Sequence, residues 1–125
     1  MKGKRILVID DDESTRALVS HALTKAGAVV VSAADADGAM KAASHDRVDL
    51  ILLDLKMPDF DGMTLLRTLG MDADPPPVVI LSGVESKHIT QQAVVDGAVG
   101  FVHKPIDLRT FAAKVSRILN WAELE

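Results

Sequence analysis

A chain of 125 residues, 48% hydrophobic and 26% charged, has the size and composition of one globular domain and is too apolar for a disordered segment. Its net charge of −4 and scattered basic residues, clustered only at Lys2, Lys4 and Arg5, argue against nucleic-acid binding. The absence of cysteine excludes disulfides and thiolate metal sites and fits a reducing cytoplasm, and no run of about 18 apolar residues offers a membrane span.

The first element is Arg5–Ile9, RILVI. The opening MKGKRILVIDDD is basic and then apolar, but the apolar run stops at Ile9 and acids follow, so it reads as a strand and not as a signal peptide. Ser14–Ala26 reads as a helix, with Leu18, Val19, Ala22, Leu23 and Ala26 at helical spacing and Gly27 as its stop. Ala28–Ala33 is a second strand, and alanine-rich Asp35–Ser44 a second helix capped by Asp35 or Asp37. Asp49–Leu53 is the third strand. KMPDFDG follows as a turn punctuated by Pro58 and Gly62, and Gly62–Leu69 is a helix. Pro77–Leu81 is the fourth strand, Glu85–Asp96 the fourth helix, and Val99–Val102 the fifth strand. The last helix has the apolar face Leu108, Phe111, Ala112, Val115 and Leu119, with Asp107 as its cap.

The strands are rich in Val, Ile and Leu and hardly alternate in polarity, as in a parallel sheet covered by helices on both faces. Strand–helix units repeated to the end of the chain predict an α/β fold, a doubly wound (βα)5 three-layer sandwich occupying residues 1–125. Its sheet order is expected to be 2-1-3-4-5, the flavodoxin-like arrangement. A closed barrel would take about eight such units.

Ligands of open α/β sheets lie at the carboxyl ends of the strands. Strand one ends in Asp10, Asp11 and Asp12, strand three in Asp54, strand four in Ser82 and Gly83, and strand five in His103, Lys104 and Pro105. Each feature alone has a plainer reading. An acid pair before a helix caps it, an aspartate after a strand makes a turn, Ser-Gly is a turn, and a lysine is solvated. Together they place two or three carboxylates beside Asp54. Carboxylates that close repel one another unless a cation holds them, and Mg2+ is the hard ion that such oxygen donors suit. A metal, a lysine, a hydroxyl and a carboxylate make a site for a phosphoryl group, with the carboxylate as nucleophile. His21, His45, His88 and His103 fit no metal-ligand spacing.

The stretches ILVIDDDESTR (6–16), DLILLDLKMPDFDG (49–62), PVVILSG (77–83) and GAVGFVHKP (97–105) resemble the receiver domain of bacterial two-component response regulators, in order and spacing. The resemblance implies that Asp54 accepts the phosphoryl group. It implies that Asp10 and Asp11 hold Mg2+ with Asp54 and the backbone carbonyl of Lys56. Ser82 and Gly83 would bind the phosphoryl group, and Lys104 would pair with one of its oxygens. Ser82 and Phe101 would act as the switch, Phe101 having core packing as its plainer role, and the Lys104–Pro105 peptide would be cis. Gly83 stands where the family more often has alanine, a change expected to be tolerated. Lys56 and Val84 occupy variable positions that tune how long the phosphoryl group lasts.

The resemblance further implies a cytoplasmic phosphorelay module that does not turn over a substrate. A histidine kinase or phosphotransfer protein would phosphorylate it. Its output would run through the fourth helix, fifth strand and fifth helix to an effector or to a second copy of the domain. The chain reads either as a stand-alone receiver or as one domain of a longer protein, and Leu124-Glu125 resembles a cloning remnant. Two rivals compete. An aspartate-dependent phosphatase of the haloacid dehalogenase type would need an acid where Lys56 stands. A receiver that binds partners without phosphorylation would not need the acids, Ser82 and Lys104 intact.

Overall fold

The computed structural model describes residues 1–45, 47–57, 60–83 and 87–124. In it the apolar runs become the parallel strands β1 (Arg5–Ile9), β2 (Val29–Ala33), β3 (Leu50–Asp54), β6 (Val78–Ser82) and β7 (Ala98–His103). Between and after them lie α1 (Glu13–Lys25), α2 (Ala36–His45), α3 (Gly62–Leu69), α4 (Lys87–Val95) and α5 (Phe111–Leu124). The sheet order is β2-β1-β3-β6-β7, the predicted doubly wound α/β arrangement. Pro58, Val84, Glu85 and Glu125, named in the sequence reading, lie outside the described residues.

Side-chain alternation along the strands divides the core in two. Leu7, Ile9, Ile51, Leu53 and Ile80 face one layer, where they meet Ala39 of α2, Leu65, Leu66 and Leu69 of α3, and Ala93 of α4. Ile6, Val8, Leu50, Leu52, Val79 and Leu81 face the other, against Val19 and Leu23 of α1 and Phe111, Val115 and Leu119 of α5. The central strands β1, β3 and β6 are buried almost throughout, as a sheet covered on both faces requires. The edge strands are not: Val29 of β2 is 44% exposed and Val99 of β7 37%.

Several elements differ from expectation for identifiable reasons. Leu18 lies off the buried stripe of α1 and is 52% exposed, so the helix packs through Val19 and Leu23. Leu108 is 48% exposed because α5 begins only at Phe111. Residues 108–110 form a turn in which the Asp107 carbonyl accepts from Thr110 and Phe111 N–H and its carboxylate from Arg109 N–H. KMPDFDG carries a short antiparallel pair, β4 (Lys56–Met57) with β5 (Phe60–Asp61), where a plain turn was predicted. Of the two cap candidates for α2, Asp35 accepts from Gly38 N–H at 2.7 Å, and Asp37 pairs with Lys41 on the helix surface.

Gly62 starts α3 directly beneath the exit of β3. A Cβ there would lie 2.5 Å from Leu55 Cα and 2.6 Å from its carbonyl oxygen, a clash with backbone that no rotamer relieves. Gly62→Ala is therefore expected to destabilise the fold by roughly 1–3 kcal/mol, read as a lower urea midpoint at unchanged slope. Gly83→Ala is the control: its Cβ would meet Lys104 Cβ at 3.9 Å, an ordinary contact, and its midpoint should match wild type.

Candidate functional site

Asp10 follows the last ladder residue of β1 and is fully buried, while Asp54 is itself the last residue of β3, paired with Leu81, and is 6% exposed. Burying two carboxylates costs free energy unless charge and hydrogen bonds answer them. Lys104, arriving from β7, answers both: its Nζ lies 2.8 Å from Asp10 Oδ2 and 3.2 Å from Asp54 Oδ2. The other oxygens accept backbone N–H groups, Asp10 Oδ1 from Asp12 at 3.0 Å and Asp54 Oδ1 from Lys56 at 2.9 Å. No buried side-chain polar atom among the described residues lacks a partner.

One ammonium serves two acids, and a third joins them. Oxygens of Asp10, Asp11 and Asp54 all lie within 4.8 Å of one another, with Asp11 exposed to solvent. Burial, with the charge of Asp10 adding to it, raises the Asp54 carboxyl above its ordinary 3.8, against the Lys56 N–H and Lys104. Burial works to lower Lys104, but its bond to Asp10 and the charges of both acids outweigh this and hold it raised, hence cationic.

Asp12, the third candidate from strand one, does not join the cluster. It caps α1, accepting from Ser14 N–H at 3.1 Å and Thr15 Oγ1 at 2.8 Å, and these bonds, Thr15 foremost, depress its carboxyl. Ser82 ends β6, buried and in register with His103 of β7. Exposed Gly83 follows it. Phe101 lies opposite Ile80 and packs, partly buried, against the α2–α3–α4 core. The Lys104–Pro105 peptide is cis. The Lys56 side chain is exposed, and its backbone is what touches Asp54. The four histidines are exposed and stand outside the acid cluster.

The sequence reading assigned no role to Arg16, whose Nη1 donates to the Asp10 carbonyl at 2.6 Å. The signal was available in principle. Helix side chains lean towards the N-terminus, so a long residue four after the Asp12 cap reaches back over the strand end.

Three carboxylates in mutual reach form an all-oxygen donor set that fits a hard divalent cation. Ionised Asp54 costs the fold stability in full above its raised folded pKa, and the cost vanishes as pH falls below 3.8. Asp54→Asn in the presence of chelator is therefore expected to gain on the order of 1 kcal/mol at neutral pH. The gap from wild type should close towards acid pH, as a series of thermal melts would show.

The chain matches the family model for the response regulator receiver domain over residues 6–116. It is 37% identical over 119 residues to a glycerol metabolism activator of Pseudomonas putida, covering 93% of this chain and 54% of that protein. It is 39% identical over 125 residues to a protein-glutamate methylesterase/protein-glutamine glutaminase of Archaeoglobus fulgidus, covering 94% of this chain and 36% of that one. The chain thus spans about half or less of the length of these two relatives. Among solved structures, the chemotaxis protein CheY4 of Vibrio cholerae superposes with a TM-score of 0.88 at 30% identity, covering 93% of this chain and 98% of that chain. A CheY-like receiver domain protein of Methanospirillum hungatei gives 0.90 at 26% identity, covering 98% of each.

Proposed function

Because the chain belongs to the response regulator receiver domain family, we propose that it is a phosphorylation-controlled switch of a cytoplasmic phosphorelay, with residues 1–125 forming the receiver unit and Asp54 the phosphoacceptor. The observation that carries this is the Lys104 ammonium held between Asp10 and Asp54 at the carboxyl ends of the strands. It marks a buried, acid-rich site with a lysine cation at its centre.

The donor is a phosphohistidine of a kinase or phosphotransfer protein. A carboxylate oxygen of Asp54 forms the bond to phosphorus as the phosphorus–nitrogen bond breaks, and the imidazole leaves with the electron pair and takes up a proton. Asp10, Asp11, Asp54 and the Lys56 carbonyl would hold Mg2+, which supplies positive charge against the phosphoryl oxygens. The Lys104 ammonium reaches a phosphoryl oxygen by turning from Asp54, while the Ser82 hydroxyl and Gly83 N–H bind the others. The domain receives and loses a phosphoryl group and does not turn over a substrate.

Ser82 and Phe101 transmit the change to α4, β7 and α5. That face then engages an effector, in this chain or another, or a second copy of the domain. Organisation at the strand ends favours this over a silent binding module, since such a module has no need of two buried acids sharing one lysine with a third acid beside them.

Incubation with acetyl phosphate and Mg2+ is expected to add the mass of one phosphoryl group, as intact-mass measurement reads, and to add nothing in Asp54→Asn or with chelator. Wild type that stays unmodified and also binds no beryllofluoride would sink the switch and leave the binding module. Lys56 is exposed two residues from Asp54. Lys56→Ala is expected to change the decay rate of the phosphorylated protein severalfold, and an unchanged lifetime would make Lys56 a solvated bystander.

A further inference from the structure

Arg16 is in the first full turn of α1, its N–H donating to the Asp12 carbonyl at 3.0 Å, and its side chain is partly buried. Its guanidinium bonds the carbonyl of Asp10 at 2.6 Å. That carbonyl belongs to the peptide joining the two acids of the cluster that come from β1. It lies beyond Ile9, the last residue that β1 pairs with β2 and β3.

Other bonds fix the rest of Asp10. Its N–H donates to Ala33 O at 3.1 Å, Oδ1 accepts from Asp12 N–H at 3.0 Å, and Oδ2 accepts from Lys104 at 2.8 Å. Those bonds hold the residue and its carboxylate, whereas the tilt of the peptide that leads on to Asp11 is set through the carbonyl. Asp11 is exposed, so the direction of its carboxylate follows from the backbone that presents it.

We infer that Arg16 is a positioning residue for the cation site: by gripping the Asp10 carbonyl it aims the Asp11 carboxylate at Asp10 and Asp54. The bond is charge-assisted, and a planar fork suits a fixed orientation better than a flexible ammonium does. This rests on the reading of the acid cluster as a Mg2+ site, and it makes a counter-intuitive claim. Coulomb's law alone says that deleting a positive group beside an acid cluster tightens cation binding. Positioning says that the deletion weakens it.

Titration calorimetry of the full chain with MgCl2 decides the matter. Arg16→Ala is expected to weaken Mg2+ affinity about tenfold, the usual effect of removing a group that orients a metal ligand. Arg16→Lys, which keeps the charge and one donor, should recover part of the loss and also serves should the alanine variant fail to fold. Melts in chelator confirm that each variant tested is folded. Arg16→Ala binding Mg2+ as tightly as wild type, or more tightly, overturns the inference and leaves the metal reading standing. A lysine variant no tighter than alanine overturns it likewise. Wild type that binds no Mg2+ overturns both.

Discussion

One ammonium lies between two buried carboxylates, and the pairing leaves negative charge over. Lys104 neutralises the equivalent of one acid, Asp10 and Asp54 are both removed from water, and Asp11 adds a third carboxylate at the solvent edge. A core selected for stability alone would place a one-to-one pair here or none at all. The raised Asp54 carboxyl is the thermodynamic trace of that choice. The same surplus that burdens the fold gives the strand ends their attraction for a divalent cation, and so binding and stability pull in opposite directions at one place.

Parity along the strands builds the site. Asp10 continues the row of Ile6 and Val8, Asp54 the row of Leu50 and Leu52, and Lys104 follows Val102, all rows that face α1 and α5. Two-residue alternation therefore brings two acids and the lysine to one side of the sheet at one level. Ser82 continues the row of Val78 and Ile80, and Phe101 packs with that row against α2, α3 and α4. Charge is gathered on one face, and Ser82 and Phe101 stand on the other. The two faces meet at the ends of β6 and β7, where Ser82 and His103 are in register.

The legible parts of this in the sequence were those that repeat. Apolar runs of five or so residues, each followed by a helical period, carry the parallel sheet and its order, because crossover geometry leaves few alternatives. The site was legible because its residues come at strand ends, where the topology must gather them. What periodicity could not say is which member of an apolar stripe turns to solvent. Leu18 and Leu108 have the spacing of core residues and are half exposed, since tertiary packing chose Val19, Leu23 and Phe111. Nor could composition separate Asp12 from its neighbours. Its hydrogen bonds to Ser14 and Thr15 make it a cap, and a local bond of that kind competes with any longer reach.

That competition separates several of the described aspartates. Asp12, Asp35, Asp61 and Asp107 each accept a backbone N–H two or three residues on, the first three at the residue before a helix and Asp107 before the turn that leads into α5. Where the carboxyl shifts, at Asp12, Asp61 and Asp107, it shifts down, because the charged form is the one bonded. Asp54 also accepts an N–H two residues on, yet its carboxyl moves up. The difference is the wall of Leu50–Leu53 behind it and the Asp10 charge beside it, which outweigh one hydrogen bond and one shared lysine. On the proposed reading, a phosphoryl group joined there replaces the single carboxylate charge with nearly two, a net gain of about one negative charge, beside acids that already outnumber the lysine. Lys104 could not then neutralise both Asp10 and the new group. The shell around the strand ends would have to rearrange, and β7, which carries Phe101 and leads into Lys104, is tied to each side of that change.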